Sequence, residues 1–318
     1  MMSTDLTDLL DIRRPILLAP MGGVAGGVLA AAVSDAGGLG LIGGGYADPV
    51  ALAHELAAAG KARIGVGFIT FALEQRRSSL DIALDHGLVA VQLSFGDPSP
   101  YAEQIHAAGA LLISQVQSVG EARRAMDAGA DVIIAQGQDS GGHGRSGRGT
   151  IGLVPAIVDA VGPIPVVAAG GIADGRGLAA ALMLGGAGVS LGTRLFASVE
   201  AIADPAAQRL IAASSGDDTV RTEIYDVVRG PAWPAGLDGR VLTNAFVQRW
   251  RRDLDGESLQ ALELDYRRAD EDDYTVKELW AGEGIDLIDG VQPAATIIAD
   301  IVAQAARCLT AGQSLLDR

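Results

Sequence analysis

Residues 136–144 read Gln-Gly-Gln-Asp-Ser-Gly-Gly-His-Gly and directly follow the apolar run Val132–Ala135. An imidazole leaving a glycine-rich loop can serve as acid, base or hydrogen-bond donor near neutral pH. On residue type alone, His143 is either catalytic or structural. The other three histidines read as surface residues. His54 lies inside a helical pattern, while His86 and His106 lie near helix C-termini, where the dipole favours an imidazolium. The next stretch, Gly144-Arg145-Ser146-Gly147-Arg148-Gly149, suits a lip over an anionic ligand or an ordinary loop.

Two further segments have the chemistry of an anion site. Ala168-Ala169-Gly170-Gly171-Ile172-Ala173-Asp174-Gly175 and Gly188-Val189-Ser190-Leu191-Gly192-Thr193-Arg194 are each an apolar run that ends in glycine. Glycine lets backbone N–H groups approach an anion closely, and a following helix N-terminus adds a favourable dipole. The plainer reading is a tight turn at Gly170 and Gly171, with Asp174 as helix N-cap. Thr193 can add a hydroxyl donor. Arg194 is read as either a phosphate contact or a surface ion pair. Near the start, Pro15-Ile16-Leu17-Leu18-Ala19-Pro20-Met21-Gly22-Gly23 would present backbone amides and a soft thioether to a flat ring, with Met21 as core filler the alternative.

The elements that must position these groups follow a repeating rhythm. Runs at Ile16–Leu18, Leu39–Ile42, Arg63–Phe68, Val89–Leu93, Leu111–Val116, Val132–Gln136, Val166–Ala168 and Gly188–Leu191 read as strands buried on both faces. Between them lie helical patterns near 26–36, 48–59, 76–86, 101–108, 118–128, 153–161 and 174–184. One helix per strand over eight strands predicts an α/β fold, a (β/α)8 TIM barrel, rather than an open sheet whose glycines gather in one turn. In such barrels the loops after strands seven and eight are the recurrent phosphate site, which is where the two glycine segments fall. After Phe196 the pattern changes. Residues 215–285 are more polar and are expected to form a mainly helical insertion or lid. Residues 1–214 with 286–318 would form the barrel, its last helix spanning about 293–309. The run Asp270–Asp273 reads as a solvated face, and no metal site is expected.

Composition narrows the function classes. The 318 residues carry a formal charge of −15, which argues against a nucleic-acid partner, since that binding needs Lys and Arg on phosphates. Hydrophobic residues make up 49 %, enough for a core, while aromatics are only 4 %. The single cysteine, Cys308, excludes an intramolecular disulfide and a thiolate cluster. With no export-like segment at the start and no long uninterrupted apolar run, the expectation is a cytoplasmic protein without a membrane span.

Taken together, these motifs resemble the nitronate monooxygenase family of FMN-dependent TIM-barrel enzymes. Gln136–His143 matches the family's Gln-Gly-x-(Glu/Asp)-(Ala/Ser)-Gly-Gly-His element, and Ala169–Ile172 and Gly192–Arg194 match its phosphate elements. The resemblance covers about residues 15–200 and, more weakly, Trp280–Gly284. It implies that Ala19, Met21 and Gly22 face the isoalloxazine and that Gln136 and Gly141 touch it. Gly170, Gly171, Gly192 and Thr193 would hold the phosphate of FMN, and His143 would sit over the reactive face. Gly67, Gly142 and Leu191 complete the implied cofactor set. Many members carry asparagine at the end of the third strand, where this chain has Gly67. The implied activity is oxidation of alkyl nitronates by O2 to a carbonyl compound and nitrite. The rival on the same fold is an NAD(P)H-dependent quinone or enoyl-thioester reductase. A flavin-free lyase or isomerase and a non-catalytic flavin-binding protein are the remaining readings. A small-molecule substrate is implied, and a homodimer is carried as an assembly that no residue pattern fixes.

Overall fold

The structure, a computed structural model, describes residues 2–230, 233–250 and 256–315. Eight parallel strands form one sheet: β1 (Ile16–Leu18), β2 (Gly40–Gly45), β3 (Ile64–Ile69), β4 (Ala90–Ser94), β5 (Leu111–Val116), β6 (Val132–Gln136), β7 (Val166–Ala169) and β8 (Gly188–Leu191). Their order around the sheet is β1-β8-β7-β6-β5-β4-β3-β2. The ring closes between the two ends, where Leu17 bridges Leu39 in parallel. There the Leu18 N–H donates to the Leu39 carbonyl and the Leu39 N–H to that of Ile16. The expected (β/α)8 barrel is therefore present, and its strands lie within a few residues of the expected runs.

Two apolar layers hold it. Inside, Leu17, Leu41, Ala90, Ile113, Val132, Ile134 and Val167 pack together. Leu6 and Leu10 of the first helix, Asp5–Leu10, close that layer at the N-terminal end of the strands. Thr4 holds the start of this helix in a capping box. Outside, the alternate strand residues Ile16, Leu18, Ile42, Val66, Val91, Leu112 and Ile133 meet the surrounding helices. Such two-sided burial is why the strands read as continuous apolar runs.

The largest difference from expectation in β2 is its C-terminal extension through Gly43-Gly44-Gly45, with a bulge between Gly43 and Gly45. A Cβ on Gly43 would overlap the Met21 backbone, so the glycine lets the ends of β1 and β2 meet closely.

Residues 215–285 contain the expected helices, Ile224–Arg229, Ala245–Trp250 and Gly256–Arg268, but also two strands the sequence reading missed. Thr219–Thr222 pairs antiparallel with Asp238–Leu242, and the latter pairs with Gly142–Gly144 from the loop after β6. A three-residue strand with two glycines carries too little alternation to be read. Val220, Ile224, Tyr225, Val241, Phe246 and Trp250 give this segment its own small core. The final helix, Ala294–Gln313, is long and apolar enough by length and composition to cross a membrane. Its residues Ile297, Ile298, Ile301 and Ala305 are buried in the outer barrel core, so its apolar face is already used within the fold.

Candidate active site

Every segment singled out for its chemistry lies at the C-terminal mouth of the barrel, the end where such barrels carry their sites. His143 stands on the short strand after β6, with its backbone opposite Gly239. Its Nε2 lies 2.7 Å from Asp226 Oδ1, and the two side chains are 10 % and 11 % exposed. A carboxylate can only accept, so Nε2 carries the shared proton and Nδ1 of a neutral ring keeps the lone pair. The second carboxylate oxygen, Oδ2, is buried with no partner among the described residues.

Gln136, at the end of β6, steadies the same loop. Its Nε2 donates to the His143 carbonyl at 3.0 Å, and its Oε1 accepts from Gln117 at 2.8 Å and Gln115 at 3.1 Å. Gln115 in turn accepts from the buried Gln92 at 3.4 Å, and Gln92 Oε1 has no partner among the described residues. A line of amides thus links β4, β5 and β6 and ends in an acceptor unused among the described residues.

The glycine turns lie beside it. Gly170 and Gly171 follow β7 with φ of 114° and 67°, and Gly192 follows β8. Among the described residues, the backbone N–H groups of Gly170, Gly171 and Gly192 meet no acceptor. A Cβ on Gly192 would touch only Ala19 Cβ and Met21 Sδ, both at 3.7 Å, and one on Gly22 would touch only Gly45 Cα at 3.4 Å. Ala19, Met21 and Gly192 therefore surround one open spot. Gly142 (φ 70°) has nothing within 4 Å of such a Cβ. Leu191 is buried at the end of β8.

Neighbouring groups make further contacts around the mouth. Gly141 is required by packing, since a Cβ there would stand 2.6 Å from the Ala281 and Gly282 backbone. Gly67 abuts Pro20, whose ring a side chain at 67 would overlap; that contact is the physical counterpart of the missing asparagine. Thr193 Oγ1 accepts the Gly282 N–H at 3.0 Å, which leaves its own proton free to donate. Arg194 is not a surface ion pair. It is buried and donates to the Gly290 carbonyl and to Gln292 Oε1. Burial lowers its pKa from the ordinary arginine value. Asp174 caps the helix Gly175–Met183 through the N–H groups of Arg176 and Gly177. His54, His86 and His106 are exposed, as expected.

Sequence reasoning missed Asp226 and Trp233, both from the 215–285 segment. The Trp233 indole stacks on His143 with centroids 3.5 Å apart and planes 4° from parallel. Trp280 lies tilted at 4.9 Å. Neither partner bears a local motif, and only the antiparallel sheet brings Asp226 within reach of residue 143.

The chain resembles two solved structures over almost its whole length. FabK from Thermotoga maritima matches with TM-score 0.88 and 33 % identity, over 99 % of this chain and 100 % of that one. A nitroalkane oxidase from Streptomyces ansochromogenes matches with TM-score 0.78 and 27 % identity, over 96 % and 99 %. These likenesses put the chain in the class of flavin-using (β/α)8-barrel oxidoreductases. It is also 37 % identical to a nitronate monooxygenase of Metarhizium robertsii, over 94 % of this chain and 93 % of the relative. The nitronate monooxygenase family model matches residues 3–65 and 65–304; the chain belongs to that family.

Proposed function

We propose that the protein oxidises alkyl nitronates with O2, using FMN, and releases a carbonyl compound and nitrite. The observation that carries this reading is the part-buried His143–Asp226 pair at 2.7 Å, set at the barrel mouth beside glycine turns whose N–H groups meet no acceptor among the described residues. Those N–H groups and the Thr193 hydroxyl have the donor chemistry a phosphate monoester needs. The open spot among Ala19, Met21 and Gly192 would admit a flat ring, and Gln92 Oε1 is an acceptor for a ring N–H. A flavin therefore fits the residues present; when bound, it supplies the electron-transfer and oxygen chemistry.

The chain's own groups do the rest. Asp226 holds the proton on Nε2 of His143, leaving Nδ1 as the basic nitrogen. In that state Nδ1 can take the proton next to the nitro group of a neutral nitroalkane; once protonated, it can bind an anionic nitronate. Gln136 fixes the backbone from which the imidazole projects. We further assign residues 215–285 as a lid that supplies Asp226.

The likeness to FabK favours a second reading, in which a nicotinamide feeds the flavin. One experiment separates them: assay the flavin-loaded protein with propionate 3-nitronate in air and with NADH without air. Nitrite release with slow flavin reduction by NADH supports the proposal. Rapid reduction by NADH and no nitrite overturns it.

A further inference from the structure

Aromatic residues are scarce in this chain, with Phe 5, Tyr 5 and Trp 3, yet Trp233 and Trp280 lie against the His143 ring and Tyr46, Phe71 and Phe95 against Trp233. Trp233 lies flat on His143 and takes the edges of Phe71 and Phe95 at 5.1 Å each. Its Nε1 donates to Tyr46 Oη at 3.1 Å. These walls come from the ends of different barrel strands: Tyr46 after β2, Phe71 after β3, Phe95 after β4 and His143 after β6. They form a slot one ring thick, with a hydroxyl at one end and an imidazole as its floor.

Two independent features set this contact apart from ordinary core packing. Trp233 joins none of the four apolar clusters among the described residues; it touches the mouth rather than its own segment's core. It lies between Gly230 (φ 88°), which caps the preceding helix, and Gly236 (φ 79°), both in backbone conformations other residues avoid. Phe95, by contrast, holds a left-handed φ of 65°, a costly state for a bulky residue and one that tends to mark sites where position matters.

We propose that the slot receives a planar aryl or conjugated group of the substrate, and that Trp233 is the specificity-determining residue whose indole the substrate displaces. The assignment of aryl nitronates as preferred substrates rests on the proposed function; the slot itself does not. Stacked and edge-on aromatic contacts of this kind amount to about tenfold in affinity.

The test uses flavin-loaded protein and free indole as probe. Trp233→Gly should bind indole at least tenfold more tightly than the wild type, read by calorimetry. It should also raise the ratio of kcat/KM for phenylnitromethane nitronate over ethyl nitronate about tenfold, through KM. Adding Phe71→Ala should weaken that indole binding several-fold. If Trp233→Gly does not fold, Trp233→Phe should shift the same ratio in the same direction by a smaller factor. No indole binding by a folded Trp233→Gly, or an unmoved ratio in either variant, overturns the proposal. FMN affinity rising tenfold in Trp233→Gly also overturns it, because the slot would then belong to the flavin. Indole binding without any nitronate turnover would keep the slot and sink the reaction assigned to it.

Discussion

Replacing Asp226 by asparagine changes almost no volume but reverses the hydrogen bond on which the mechanism depends. Asparagine can face Nε2 of His143 with its oxygen or with its amide nitrogen. With the oxygen inward, the NH2 would occupy the place of Oδ2, which is buried with no partner among the described residues. Two donors left there unpaired cost about 1–3 kcal/mol. With the nitrogen inward, the oxygen remains where an oxygen already sits, and the ring must move its proton to Nδ1. The second arrangement wins, and the basic nitrogen is lost. A positioned general base contributes about 10²–10⁴-fold. Asp226→Asn should therefore lower kcat/KM on a neutral nitroalkane by at least about a hundredfold, while its preformed nitronate loses less than about tenfold. The 15N resonances of the His143 ring should show the proton moving from Nε2 to Nδ1, and Asp226→Glu should recover part of the activity. A ring spectrum unchanged in Asp226→Asn, with both substrates turned over as in the wild type, would refute the reasoning.

Three more outcomes follow from the geometry. Gly171→Ala places a side chain at φ 67° and a Cβ 3.2 Å from Asp139 Cβ, beside unpartnered N–H groups. FMN affinity should fall at least tenfold while riboflavin affinity changes little, measured by fluorescence titration. Gly67→Asn drives a side chain into the Pro20 ring and should destabilise the fold by about 1–3 kcal/mol, seen as a lower Tm; an unchanged Tm would show that the site has room. Backbone N–H donation, from Ala51 to Asp48 and from Gly216 to Asp286, holds both carboxyls below the ordinary aspartate value of 3.8. Their contribution is present above that value and fades as pH falls below it, so Asp48→Asn/Asp286→Asn should flatten the acid limb of a Tm-against-pH curve.

The barrel was legible because each strand is buried on both faces. Val132–Ala135 is an unbroken apolar run and Leu111–Val116 is interrupted only by Ser114-Gln115, while the helices between the strands keep their own period. The glycine turns and His143 were legible for a related reason: each sits directly after such a run, so the topology carries it to the mouth. Asp226 and Trp233 were not, since their meeting with His143 depends on the pairing of Asp238–Leu242 with Gly142–Gly144, across about a hundred residues of chain. The surface reading of Arg194 failed because charged side chains are mostly exposed, whereas its long stem reaches inward to Gly290 and Gln292. The role of Gly67 became visible only with the Pro20 ring against it.

The measurement that bears most directly on the account is the visible spectrum of the purified protein, followed without oxygen as propionate 3-nitronate is added. The protein should be yellow, or become so with FMN, and the oxidised-flavin band should fall on mixing; His143→Asn should keep the colour but respond far more slowly. A polypeptide that stays colourless with FMN, or a flavin band that the nitronate leaves untouched, contradicts it.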